Sequence, residues 1–130
     1  MIGGRDVIIP TTRGPEALDV ALRAVTRLWQ HAVLEDAVTG EIFRRYAEIN
    51  FAGRSEILAF RDPESAKCWD ELGPDPSLDG TLIHFLIAEG ALTVAVDATP
   101  PKHIEEFLED LRRSLTKDLF ASTAGKREAA

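Results

Sequence analysis

The chain has 130 residues, 45% apolar and 28% charged, with a formal net charge of −7. That length sets the expectation of one domain, which buries roughly 65% of its unfolded surface without a metal or disulfide staple. The acidity speaks against a nucleic-acid partner, because phosphate affinity comes from Lys and Arg displacing counterions, and the basic doublets Arg44-Arg45, Arg112-Arg113 and Lys126-Arg127 lie mostly among acids.

Val7-Ile8-Ile9 stops at Pro10. Proline has no ladder donor, so this segment reads as an edge strand or a tethered N-terminal arm. Thr11-Thr12-Arg13-Gly14-Pro15 is a helix-start signal, with Pro15 suited to the first turn and Glu16 and Asp19 near the positive end of the dipole. Leu18, Ala21, Leu22, Val25, Leu28 and Trp29 then recur at three- and four-residue spacing, which predicts a helix with one buried stripe. Ala32 to Ala37 reads as a strand, followed by a turn at Val38-Thr39-Gly40. Glu41 to Asn50 fits two periods: Ile42, Tyr46 and Ile49 suit a helix, whereas Phe43, Arg45, Ala47 and Ile49 suit a strand. Its place between two strand-like runs favours the strand. Ser55 to Arg61 reads as a third strand.

Asp62-Pro63-Glu64 opens a second helix with an aspartate cap and a proline at the first position, and Gly73-Pro74 closes it. Ala66, Trp69 and Leu72 share its apolar face. Thr81 to Asp97 reads as a β-hairpin with Glu89-Gly90 at its tip. The first hairpin strand is apolar on both faces, so it is expected at the centre of a sheet, covered by helices on one side and by something else on the other. In the second, Leu92, Val94 and Val96 alternate with Thr93, Ala95 and Asp97. Thr99 and two prolines start a last helix whose buried stripe is Ile104, Phe107, Leu108, Leu111 and Leu115, with Leu119 as a further candidate. From Ala121 onward the residues are small, polar and charged. The expected organisation is a single domain over 1–120 with a flexible tail over 121–130. The fold class predicted is α+β, in the order α-β-β-β-α-β-β-α after a short N-terminal arm, with helices packed on a mostly antiparallel sheet.

Chemistry-bearing residues are few. His31, His84 and His103 have no i, i+4 partner of the kind a helical zinc site needs, and no Cys-x-x-Cys occurs. The single Cys68 sits next to Lys67, but adjacent helix residues do not face each other, so nothing marks it as an activated thiolate. Glu35, Asp36 and Asp97 stand at or near strand ends, where carboxylates most often bind backbone donors. There is no nucleophile elbow, phosphate-binding glycine loop or dinucleotide fingerprint. No catalytic residue, metal or cofactor is therefore predicted. His84 reads first as a hydrogen-bonded core or interface histidine, Trp29 and Trp69 as core residues. His84, Phe85 and Ile87, on the doubly apolar strand, are the candidate partner-binding residues. The N-terminus lacks the layout of a signal peptide, no apolar run approaches the ~20 residues of a membrane span, and one cysteine carries no sign of an oxidising compartment. The expected compartment is the cytoplasm.

The segments Pro15–Gln30, Ala32–Arg61, Asp62–Leu72, Thr81–Asp97 and Pro100–Leu115, taken with the size and acidity, give a layout that resembles the type III secretion chaperones. That resemblance implies a dimer binding an extended segment of a client. Three functions are open at this level. One is a non-enzymatic module that sequesters another polypeptide, chaperone-like or toxin-neutralising, and is itself a homodimer. The second is a small enzyme or ligand-binding domain using His84 with Glu35, Asp36 or Asp97. The third is a structural or regulatory domain. The net acidity serves solubility, or it points to a basic partner.

Overall fold

A computed structural model describes residues 5–50, 53–72, 81–96 and 101–129, with side chains of the last helix through Thr116. Among these residues, six strands form one antiparallel sheet and three helices pack on it. Strand β1 (Arg5–Pro10) leads into helix α1 (Gly14–Leu28). Strands β2 (Val33–Asp36), β3 (Ile42–Phe43) and β4 (Glu56–Phe60) follow, then helix α2 (Pro63–Leu72), strands β5 (Leu82–Ala88) and β6 (Ala91–Val96), and helix α3 (Lys102–Ala129). The spatial order of strands is β1-β6-β5-β4-β2-β3. The α+β class is as predicted, and the apolar run at Val7-Ile8-Ile9 is an edge strand paired with β6.

Local chemistry accounts for the element boundaries. Pro15 lies in the first turn of α1, and the Arg13 N–H donates to Thr11 Oγ1 at 2.9 Å just ahead of it. Asp62 Oδ1 accepts the Ser65 N–H at 2.7 Å, the cap expected for α2. The hairpin tip has Glu89 at φ 53° and Gly90 at φ 76°, two left-handed residues in succession, whose twist matches the flanking strands. Asp97, Thr99, Gly73 and Pro74 lie outside the described residues, so their predicted caps and turns do as well.

One expectation is corrected in part. Glu41–Asn50 is a strand only at Ile42–Phe43; a 3-10 turn occupies Tyr46–Glu48. Phe43 pairs with Leu34 and is buried, after which Tyr46 and Ile49 turn inward and pack against the main core beside α1. The three-residue spacing of Phe43, Tyr46 and Ile49 serves a turn better than a ladder. Arg23 lies over the Tyr46 ring at 5.7 Å and holds it to α1.

The main core lies between the sheet and the helices α1 and α3. Ala17, Leu18, Ala21, Leu22 and Val25 from α1 and Ile104, Leu108, Leu111 and Leu115 from α3 meet Val7, Ile9, Leu34, Ile57, Ala59, Ile83, Phe85, Leu92, Val94 and Val96. Helix α2 covers the other face at one end, where Ala66 and Trp69 pack with Leu58 against Val33, Phe60 and Leu82. The Trp69 and Phe60 rings lie 6.2 Å apart and tilted by 53°. Trp29 is buried in the main core; Trp69 is partly buried. The doubly apolar strand thus does have helices on both sides, on one of them only at the Leu82 end.

Candidate functional site: the open face of the sheet

Strict alternation sorts every strand residue to one face or the other. The register places Ile42, Glu35, Leu58, His84, Ala95 and Asp6 in one row across the sheet, on the face away from α1 and α3. Glu56, Leu86, Thr93 and Ile8 form the next row. Helix α2 reaches the first row only at its Ile42, Glu35 and Leu58 end, and no described helix lies over the second row. Ile8 is 64% exposed and Ile42 50%, at opposite edges of the sheet, and Leu58, Leu86, Thr93 and Ala95 between them are half-buried.

His84 Nε2 and Glu56 Oε1 are 2.8 Å apart, diagonal neighbours on adjacent strands, each about one-third exposed. Glu35 is on the same row as His84 with Leu58 between them, which puts two strand spacings, ~10 Å, between their backbones. Burial pushes the Glu35 carboxyl up from the usual carboxylate range, and the nearby charge of Asp70 adds to the rise. Asp36, the next residue, faces the other way and is buried. Its Oδ1 accepts the N–H groups of Val38 at 2.8 Å and Thr39 at 2.9 Å, and its Oδ2 accepts from Arg54 at 2.6 Å. Burial raises this carboxyl, but the hydrogen bonds from Thr39, Arg54 and Val38 outweigh it and hold the group below its ordinary value. Arg54 also reaches Glu41 at 2.6 Å and lies 4.7 Å above the Phe43 ring, so Asp36 and Arg54 clamp the β2–β3 turn to the loop before β4.

The three candidate partner-binding residues do not share a face. His84 is on the open face; Phe85 is fully buried beneath the helices, and Ile87 packs against the main core close to Gly14. The groups weighed as a second set also separate: Glu35 shares a face with His84, Asp36 does not, and Asp97 lies outside the described residues. His84's actual partner, Glu56, was not visible in the sequence, because the two are 28 positions apart and only the β4–β5 register brings them together. His31 is exposed after α1, His103 is exposed in the first turn of α3, and Cys68 is half-buried in α2. Among the described residues no group of three or more His, Cys, Asp and Glu is placed to hold a metal ion.

Among the described residues, two grooves stand out. One, of about 450 Å³, lies between α1 and α3 and is lined by Val20, Leu28, His103, Phe107 and Leu111 among others. The other, of about 470 Å³, runs between α2 and the β2–β3 edge, with Val33, Ile42, Ala66 and Asp70 in its walls. Neither includes His84 or Glu56.

Comparison with known protein families, curated proteins and solved structures finds no match for this chain. Among the described residues no helix is long and apolar enough to cross a membrane.

Proposed function

We propose that this protein is a non-enzymatic, protein-binding module of the cytoplasm that sequesters another polypeptide, in the manner of a secretion chaperone or a toxin-neutralising protein. The observation that carries the reading is the open sheet face: two rows in which Ile42, Leu58, Leu86 and Ile8 offer apolar surface beside half-exposed polar groups. Leu58 and Leu86 are diagonal neighbours at the centre of this face, with Glu35, Glu56 and His84 beside them and Ile42 and Ile8 at its two edges, and partly exposed apolar side chains grouped in this way suit an interaction site. The His84–Glu56 pair lines neither of the two grooves described above and each side chain is about one-third exposed, which suits an interface better than proton transfer to an enclosed substrate.

Self-association has its own support in strand β1. The Thr11 N–H donates to the Gly90 carbonyl at 2.8 Å, so by antiparallel alternation the odd-numbered residues of β1 bond to β6 and the backbone groups of Asp6 and Ile8 point outward. A second copy pairing along this edge would satisfy them, and Ile8 would gain cover.

The test is a Leu58→Asp/Leu86→Asp variant. It is expected to keep the wild-type circular dichroism and to lose the polypeptide that co-purifies with the wild-type protein. Light scattering is expected to give a dimer for the wild type and a monomer for Ile8→Lys. A wild-type protein that is a strict monomer and co-purifies with nothing opposes the reading.

A further inference from the structure

We infer that the open sheet face is the seat of a single amphipathic helix bearing apolar residues and Lys or Arg, supplied by the sequestered partner. This rests on the protein-binding reading and assigns the chemistry of its ligand.

Size comes first. From Ile42 on β3 to Asp6 on β1 there are five strand spacings, so the face is ~24 Å wide. The two open rows lie ~7 Å apart along the strands and, with their side-chain margins, occupy ~14 Å. The product is a projected footprint of roughly 340 Å², the size of a single helix and small beside a globular partner, which gives ~800 Å² of accessible surface to a stable interface. A second copy docked on this face alone would be underheld. A helix is ~10–12 Å in diameter and ~16 residues of it span ~24 Å, so it fits beside α2 as the missing half of the second layer.

Backbone chemistry favours a helix over an extended segment. The face presents side chains, and free backbone groups occur only at sheet edges. A strand laid flat on it would bring N–H and C=O groups that find no partner there, whereas a helix satisfies its own.

Charge then sets the composition. The carboxylates on the two rows are Asp6, Glu35 and Glu56, distributed from β1 to β2, and the one basic group among them is His84, already bonded to Glu56. Asp70 of α2 adds a fourth carboxylate close to Glu35. Among the described residues, cations enter at the margin: Arg44 after β3, and Lys67 of α2, which faces Glu71 at 4.0 Å. An apolar helix face flanked by Lys or Arg would meet Leu58 and Leu86 in the middle and the carboxylates around them, whereas an acidic helix would face like charge at each of these points.

The experiment uses the full chain and three fluorescently labelled 16-residue peptides, read by anisotropy: a helix with Leu on one face and Lys on the other, the same with Glu for Lys, and the same with Ser for Leu. The Leu/Lys peptide is expected to bind, with affinity falling as salt rises, and the other two at least about tenfold more weakly, about 1.4 kcal/mol. Glu35→Gln/Glu56→Gln should weaken Leu/Lys binding about tenfold. Glu106→Gln/Asp110→Asn, which removes the same charge from the α3 side, should change it less than about twofold. Thermal melts of each variant confirm folding. Equal losses in the two double variants would mean bulk attraction to an acidic protein and overturn the inference. A face that takes the Leu/Glu peptide as well as the Leu/Lys peptide overturns the charge assignment but leaves sequestration standing. Leu/Lys binding indifferent to Leu58→Ser/Leu86→Ser overturns both.

Discussion

The two faces of this sheet are made by alternate residues of the same strands, yet they are buried to different extents. Toward α1 and α3 the strands give Ile57, Ile83, Phe85, Leu92 and Val94, all without exposed surface. Away from them they give Glu56, Leu58, His84, Leu86 and Thr93, each half-buried. The first face is filled within the chain and its energy goes into folding. The second keeps apolar surface at the cost of solvation, which is what a docking site requires. If the open face binds as proposed, neighbouring residues on one strand separate stability from binding, and substitution can pull the two apart.

The widest separation is at Phe85 and Leu86. Phe85→Ala empties a fully buried site and should cost ~3–5 kcal/mol, while Leu86→Ala, on the half-open face, should cost about 1 kcal/mol or less. Urea denaturation of both variants reads the difference directly. Similar losses would mean that both faces are equally committed to the fold and that the open face is not spare.

Gly14 probes how closely the covered face is packed. A Cβ at this position would lie 2.6 Å from Ile87 Cγ2, well inside contact distance, because the start of α1 approaches the sheet there. Gly14→Ala should destabilise by ~2–3 kcal/mol through overpacking. The further change Ile87→Ala removes the obstructing methyl, so the double variant should be more stable than the sum of the single losses predicts. Strict additivity would show that the helix shifts instead of clashing.

Much of this division was legible in the sequence, and the unread part has a physical cause. Leu92, Val94 and Val96 alternate with the smaller or polar Thr93, Ala95 and Asp97 and read correctly as one face. The stripe of Leu18, Ala21, Leu22 and Val25 read as a buried helix face. Glu89-Gly90 read as a hairpin tip. Each of these depends on neighbours a few residues away. Glu56 opposite His84, and Arg54 between Asp36 and Glu41, depend on register and on a loop closing over 13 to 28 positions, for which periodicity carries no signal. The same limit applies to the open face: the apolar content of both faces of β5 showed that something must cover each, but only the placement of α2 reveals that one cover stops at the Leu82 end. Glu41–Asn50 was ambiguous because a 3-10 turn shares its three-residue spacing with a helix, while Phe43 fits a strand.

Glu35 and Asp36 carry the comparison to its finest scale, as adjacent carboxylates on opposite faces with pKa displacements of opposite sign. Asp36 is lowered, so its contribution to stability is complete above the unfolded carboxylate pKa of ~3.9 and is lost as pH falls through the lower folded value. Asp36→Asn keeps an acceptor for the Val38 and Thr39 N–H groups but removes the charge facing Arg54, and should cost ~1–2 kcal/mol at pH 7 while flattening the acid limb of the stability curve. Glu35 is raised, so the fold binds its proton more tightly than the unfolded chain does; the carboxyl stabilises when protonated and opposes folding once pH rises through the folded pKa. Glu35→Gln should therefore leave stability nearly unchanged below pH 4 and raise it by ~0.5 kcal/mol or less at pH 7, a small gain because the group is only half-buried. Urea titrations of the two variants between pH 3 and 7 give both slopes. A loss of stability at pH 7 in Glu35→Gln would mean that this carboxylate has a favourable partner in the folded chain, and that the open face is less acidic toward a ligand than its residues imply.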